Sequence, residues 1–129
     1  PIMKLEGERR DLHRHLRMLE EVVILSLKEV GVIGERKENF TGVWIQDKKV
    51  CSIGVAVKNI KGIWITYHGL ALNVCCDLAP FQLINPCGLD ASVMANVCNF
   101  LPHDPPAEVK ERLKQALIRY TNDYICNPT

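Results

Sequence analysis

Cys87 has the most constrained setting among the residues of this 129-residue chain that could do covalent chemistry, because it stands between Pro86 and Gly88. The proline fixes the backbone before the thiol, and the glycine lets the chain turn sharply after it. Such a turn could present a nucleophile on a rigid loop, with backbone N–H groups near enough to stabilise an oxyanion. A buried, inert cysteine in a turn is the plainer reading of the same three residues. A free thiol has a pKa of about 8.5, so a cysteine nucleophile needs a nearby cation to be a thiolate at neutral pH. His68, in Tyr67-His68-Gly69, is one candidate for that cation. Lys49, which heads the strand-like run Lys49-Val50-Cys51-Ser52-Ile53-Gly54, is the other. A lysine at the start of a strand is ordinarily a solvated edge residue, and spacing alone brings neither cation to Cys87.

The other cysteines are Cys51, Cys75, Cys76, Cys98 and Cys126. They include no C-x-x-C pair and no Cys/His cluster with zinc-finger spacing, so no metal site is expected. Adjacent Cys75 and Cys76 suit no simple bridge, and the chain is long enough to bury a core without staples. The cysteines are therefore expected to be mostly small buried hydrophobes. His13 and His15 lie two apart on a predicted helix, point to different sides, and read as surface residues.

The elements that must carry these residues follow from periodicity. Leu12, Leu16, Leu19, Val23, Leu27 and Val30 recur at spacings of three and four, which predicts an amphipathic helix over residues 9–30. Asp11 suits its positive N-terminal end and Gly31 its stop. Val43-Trp44-Ile45, residues 50–57 and residues 63–74 are strand-like and joined by short turns, which predicts an antiparallel meander. Gly54 within a strand marks a bulge or a place where a ligand approaches the backbone. Residues 77–85 read as irregular, with Phe81 and Ile84 as core anchors, and residues 89–100 as a short helix. Asp104-Pro105-Pro106 is a helix start, and Val109, Leu113, Leu117, Tyr120 and Tyr124 continue that helix on one face.

Composition narrows the class. A chain of this length makes one domain. An apolar share of 47% with 24% charged residues is that of a globular protein, and a net charge of +1 argues against nucleic acid as a partner. The longest apolar-rich run, Val22 to Leu27, is far short of the roughly 20 residues that span a bilayer. No signal peptide is evident, so no membrane partner is expected. The chain opens on Pro1 without an initiator methionine, as a fragment or a processed chain would.

Four ordered blocks resemble the signature of the lipoyl(octanoyl) transferase family. They are Thr41-Gly42-Val43-Trp44, then Lys49 to Val55, then Trp64-Ile65-Thr66-Tyr67-His68-Gly69-Leu70-Ala71-Leu72-Asn73, then Asp77-Leu78 with Phe81, Ile84 and Pro86-Cys87-Gly88-Leu89. Asp11-Leu12-His13, with Leu16, Leu19 and Glu20-Glu21, is similar to the family's preceding helix. The resemblance is good over residues 1–89 and poor over the last forty. It implies an α+β fold, a biotin/lipoate protein ligase-like mixed sheet flanked by helices. It also implies an acyltransferase of lipoate biosynthesis that needs no cofactor. Such an enzyme moves an octanoyl group from octanoyl-acyl carrier protein to a lysine of lipoyl-accepting domains, through a thioester on a cysteine. The acceptors would be the lipoyl domains of 2-oxoacid dehydrogenases and the glycine cleavage H protein.

Carried over by motif, Cys87 is the nucleophile, and Lys49 is the partner that lowers its pKa and handles protons. Ser52, Ile53, Gly54, Gly69, Leu70 and Ala71 are the substrate contacts, and His68 becomes a possible pocket residue. The family's Arg-Gly-Gly and Thr-x-His-Gly-Pro-Gly segments do not occur here, and Val93-Met94-Ala95-Asn96-Val97 replaces its Val-Thr-Ser-Leu-like segment. Residues 1–129 are thus expected to be one incomplete catalytic domain, lacking the N-terminal half and nearly inactive alone. A bacterial cytoplasm is the expected setting, with the mitochondrial matrix as the alternative. Two other functions compete. One is an ATP-dependent lipoate or biotin protein ligase, for which no phosphate-binding Gly/Arg-rich loop is present. The other is a non-catalytic module that binds carrier domains.

Overall fold

The computed structural model describes residues 1–127, with Cys87 described through its backbone alone. The first helix, α1, spans Leu12–Glu29, and the Asp11 side chain caps it by accepting the Arg14 backbone N–H. Leu19, Val23, Leu27 and Val30 are buried as the period predicts. His15 is also buried at 3% exposure, against the expectation of a surface histidine. Burial, and then the charge of the Pro1 amino terminus, hold its pKa below the ordinary value.

Four strands form one sheet. Strand β1 is Met3–Leu5, β2 is Val43–Ile45, β3 is Lys48–Ile60 and β4 is Ile63–Leu72, in the order β1-β4-β3-β2. The named strands pair antiparallel throughout, and the parallel contact is a single bridge between Lys49 and Met94. The expected meander is β2-β3-β4. Strand β1 escaped notice because three residues are too few to show a period; it is held by pairing with Trp64, Ile65 and Thr66 of β4.

The second helix, α2, spans Pro106–Cys126 and is capped by Pro105 with no side-chain bond, so Asp104 does not supply the expected capping carboxylate. Val109 and Leu113 of α2 join Val23 and Leu27 of α1, and Val43, Val50 and Cys51 of the sheet, in one core. Apolar side chains from both helices and from the sheet thus close the α+β layer structure. Among the described residues, no helix is long and apolar enough to cross a membrane.

Residues 79–100 form a run of 3-10 turns, at Ala79–Leu83, Pro86–Gly88, Ala91–Val93 and Val97–Phe100, so the stretch before Pro86 is irregular as expected while residues 89–100 are not the short helix expected. Prolines at 80 and 86 and the Asp90 side chain, which accepts from the Ser92 backbone N–H, start turns that local bonds close. Ile84 is 57% exposed and is not the core anchor expected. The end of this run returns to the sheet: the Val97 N–H donates to the Asn73 carbonyl and the Cys98 N–H to the Val74 carbonyl. That docking brings Cys75 and Cys98 together as a disulfide, with Cα atoms 5.5 Å apart. A separation of 23 residues gives no hint of it. Of the cysteines described through their side chains, Cys51 alone is the buried hydrophobe expected; Cys76 and Cys126 are exposed.

Candidate active site

The motif-derived residues gather on the β3–β4 pair. Ser52 lies opposite Ala71, Ile53 opposite Leu70 and Gly54 opposite Gly69, so the two triplets are cross-strand partners. Together with His68 and Pro1 they line a groove of about 600 Å³. That volume is in the range of roughly 300–1,000 Å³ typical of small-molecule sites. The small residues make the room. Gly54 has open space where a Cβ would stand, and Gly69 has φ +152° with Pro1 packed 3.4 Å from the Cβ position. His68 is an exposed strand residue with φ +68°, and lines the groove without being a loop residue. A cavity of about 620 Å³ lies elsewhere, between α1 and α2, over Met18, Val22, Leu25, Tyr120 and Tyr124. None of the candidate catalytic or substrate-contact residues lines it.

Lys49 stands three residues before Ser52 on β3 and is 1% exposed, not the solvated edge lysine its position suggests. Its Nζ lies 5.1 Å from the centroid of the Trp44 ring, within cation–π range. Gly42 packs against the stem: a Cβ there would lie 2.9 Å from Lys49 Cε. Among the described residues no carboxylate forms an ion pair with Lys49. Cys51, two residues on along β3, is fully buried, and burial pushes its thiol up to about 12; the Lys49 charge pulls the other way and loses. Cys51 is therefore no nucleophile at neutral pH.

The Cys87 side chain, with the expected Lys49–Cys87 pairing, lies outside the described residues. The backbone around it is a 3-10 turn over Pro86–Gly88, closed by Gly88 N–H to Asn85 carbonyl at 3.1 Å and Leu89 N–H to Pro86 carbonyl at 3.0 Å. These two N–H groups are engaged, not free for an oxyanion as the sequence suggested. Downstream the same segment docks on the head of β3. The Ala95 N–H donates to the Lys49 carbonyl at 3.0 Å, and Lys48 Nζ donates to the Ser92 carbonyl at 2.7 Å. The Asp90 carboxyl is held below its usual range, first by the Ser92 hydroxyl and then by the Ser92 backbone N–H.

A polar cluster behind Lys49 was missed. Glu20 is 1% exposed on α1 and accepts from Arg17 and Arg36 side chains and from the Gly42 N–H. The signal was present: Glu20 falls between Leu16 and Val23 on the apolar stripe, and a carboxylate on that stripe must have partners. No cluster of His, Cys, Asp and Glu that could hold a metal occurs among the described residues.

A family model described as the lipoyl protein ligase A/B catalytic domain matches residues 1–118. The match runs well past residue 89, where the motif resemblance fades. An octanoyltransferase from Synechococcus sp. (strain JA-2-3B'a(2-13)) is 46% identical over 108 residues, 84% of this chain and 40% of that protein. An octanoyltransferase from Caldanaerobacter subterraneus subsp. tengcongensis is 52% identical over 89 residues, 69% of this chain and 37% of its own length. The chain thus spans less than half the length of these curated relatives. In fold it is similar to a lipoate-protein ligase A solved with ATP, at TM-score 0.67 and 20% identity over 96% of this chain and 49% of that one. A putative lipoate protein ligase from T. acidophilum with bound lipoic acid is equally similar, at TM-score 0.67 and 17% identity over the same shares.

Proposed function

This chain belongs to the lipoyl protein ligase A/B catalytic domain family, and on that premise we propose that it is part of an octanoyltransferase of lipoate biosynthesis. Its reaction is the transfer of an octanoyl group from acyl carrier protein to a lysine amine on a lipoyl-accepting domain, such as those of 2-oxoacid dehydrogenases or the glycine cleavage H protein. Residues 1–129 contribute to a single catalytic domain. The two octanoyltransferases named above are bacterial, which supports a bacterial cytoplasm as its setting.

One observation carries this reading. Ser52-Ile53-Gly54 and Gly69-Leu70-Ala71, chosen from motifs 15 residues apart in the chain, are direct cross-strand partners on one groove. Lys49 heads the same strand. The chemistry then follows from residue types. The Cys87 thiolate attacks the octanoyl thioester carbonyl, and the carrier thiol leaves with the proton. An acyl-cysteine has about the same energy as the donor thioester, so the exchange needs no ATP. The acceptor amine then attacks the acyl-cysteine and restores the thiol. Lys49 as an ammonium favours the thiolate, and as a neutral amine it takes the proton shed by the acceptor. The groove beside Gly54 receives the acyl chain.

Incubating the chain with octanoyl-acyl carrier protein, without ATP, tests this by intact mass and peptide mapping. Stoichiometric acylation is the readout, since turnover by residues 1–129 alone is expected to be slight. One octanoyl group on Cys87, absent from Cys87→Ser, is the expected result. Octanoyl-adenylate formed from octanoate and ATP would replace this reading with that of a ligase. Binding of the carrier without acylation would replace it with a docking module.

A further inference from the structure

We propose that Glu20 is a positioning residue for Lys49, acting through the backbone of Gly42. The proposal deepens the reading of Lys49 as the proton-handling lysine and rests on it.

Glu20 ties together both ends of the loop that walls Lys49. Its Oε2 accepts from Arg36 Nε at 2.9 Å, at the start of that loop, and from Arg17 Nη1 at 2.7 Å. Its Oε1 accepts from the Gly42 N–H at 3.1 Å, at the end of the loop. Two guanidinium groups balance the buried charge, so the bond to Gly42 is left with a geometric task. Gly42, at φ +138°, leaves no slack: a Cβ there would stand 2.5 Å from the Cys51 carbonyl oxygen, 2.9 Å from Lys49 Cε and 3.4 Å from the Trp44 ring. Trp44 is fixed in turn by exchanging two backbone hydrogen bonds with Glu35, at 2.8 and 2.9 Å, beside Arg36. Gly42 and Trp44 thus make the two walls of a slot in which the lysine stem lies, with the ammonium over the Trp44 ring. One carboxylate holds both walls in register.

Competitive labelling with trace acetic anhydride, read by peptide mass spectrometry, measures Lys49 without octanoyl-acyl carrier protein or any enzymatic transfer. Failure of octanoyl transfer and failure of this proposal are therefore separate outcomes. Exposed Lys58 and Lys110 serve as references. Glu20→Asp keeps the charge and both guanidinium partners but draws the carboxylate back by about 1.5 Å. Glu20→Gln loses the charge but keeps an oxygen for the Gly42 N–H. Lys49 labelling is expected to quicken about tenfold in Glu20→Asp and to stay within about twofold in Glu20→Gln, as for loss or retention of one buried hydrogen bond. Amide exchange at Val23 and Leu27 is expected to stay unchanged in both. Three results would overturn the proposal: unchanged labelling in Glu20→Asp, equal labelling in the two variants, or exchange at Val23 and Leu27 rising in parallel. Should Glu20→Asp fail to fold, the wild-type chain decides alone. A Gly42 amide as slow to exchange as that of Val23 supports the proposal, and a freely exchanging one overturns it.

Discussion

Residues 49–51 and residues 52–54 are consecutive on β3, yet they occupy opposite environments. Lys49, Val50 and Cys51 are each at most 1% exposed, whereas Ser52 and Ile53 are half-buried and Gly54 is open. The head of the strand is covered twice, by the core of α1 and α2 and by the returning segment at Met94, Ala95 and Val97. Three residues on, that second cover ends and the side chains become small. The head can therefore hold an amine in a fixed place and keep a thiol inert, while the middle can admit an apolar chain. Burial, not residue type, separates the inert Cys51 from the cysteines that can react.

The largest effect that sharpens this contrast is on Cys51. With its thiol pushed up to about 12, native alkylation at pH 8 should be about a thousandfold or more slower than at exposed Cys76 and Cys126. Peptide mapping after iodoacetamide checks this. Comparable rates at Cys51 and Cys76 would erase the difference between the head and the rest of the molecule.

The middle of the strand is tested by filling it. Gly54→Leu places a side chain in open space above the groove. Acylation by an octanoyl donor should fall about tenfold or more, while acylation by an acetyl donor should change little. Equal losses for both donors would mean that the groove does not hold the chain.

A smaller effect tests how firmly the helix layer is packed. His15 is buried with a folded pKa lowered from the ordinary 6.5, so the unfolded chain takes up this proton at higher pH than the fold does. As pH falls below about 6.5, the unfolded state binds the extra proton and stability drops. A fall in stability between pH 7 and pH 5.5 is expected in urea unfolding, and His15→Asn should flatten the slope. A wild-type stability that rises between pH 7 and 5.5 would contradict the assignment.

Much of this was legible in the sequence, for physical reasons that differ by element. The α1 and α2 stripes and the meander follow from periods of 3.6 and 2, which burial enforces. The groove triplets were legible through their motifs, because their spacing about one turn fixes their register. The interior of Lys49, the disulfide between Cys75 and Cys98 and the burial of His15 were not legible. Each depends on where residues 89–101, or the chain's first residues, return against the sheet or α1, and spacing carries no record of such returns. Residues 89–100 misled for another reason: the Asp90 and Asn99 side chains, which accept from the Ser92 and Asn96 backbone N–H groups, break an apolar stretch into single turns.

The dyad itself is tested most directly by the pH dependence of Cys87 acylation in the wild type and in Lys49→Ala. Single-turnover acylation by octanoyl-acyl carrier protein, followed by mass spectrometry, gives both rates. The account predicts acylation about a hundredfold slower in Lys49→Ala at pH 7, with partial recovery toward pH 9 as the thiol ionises unaided. Equal rates at pH 7 would contradict it.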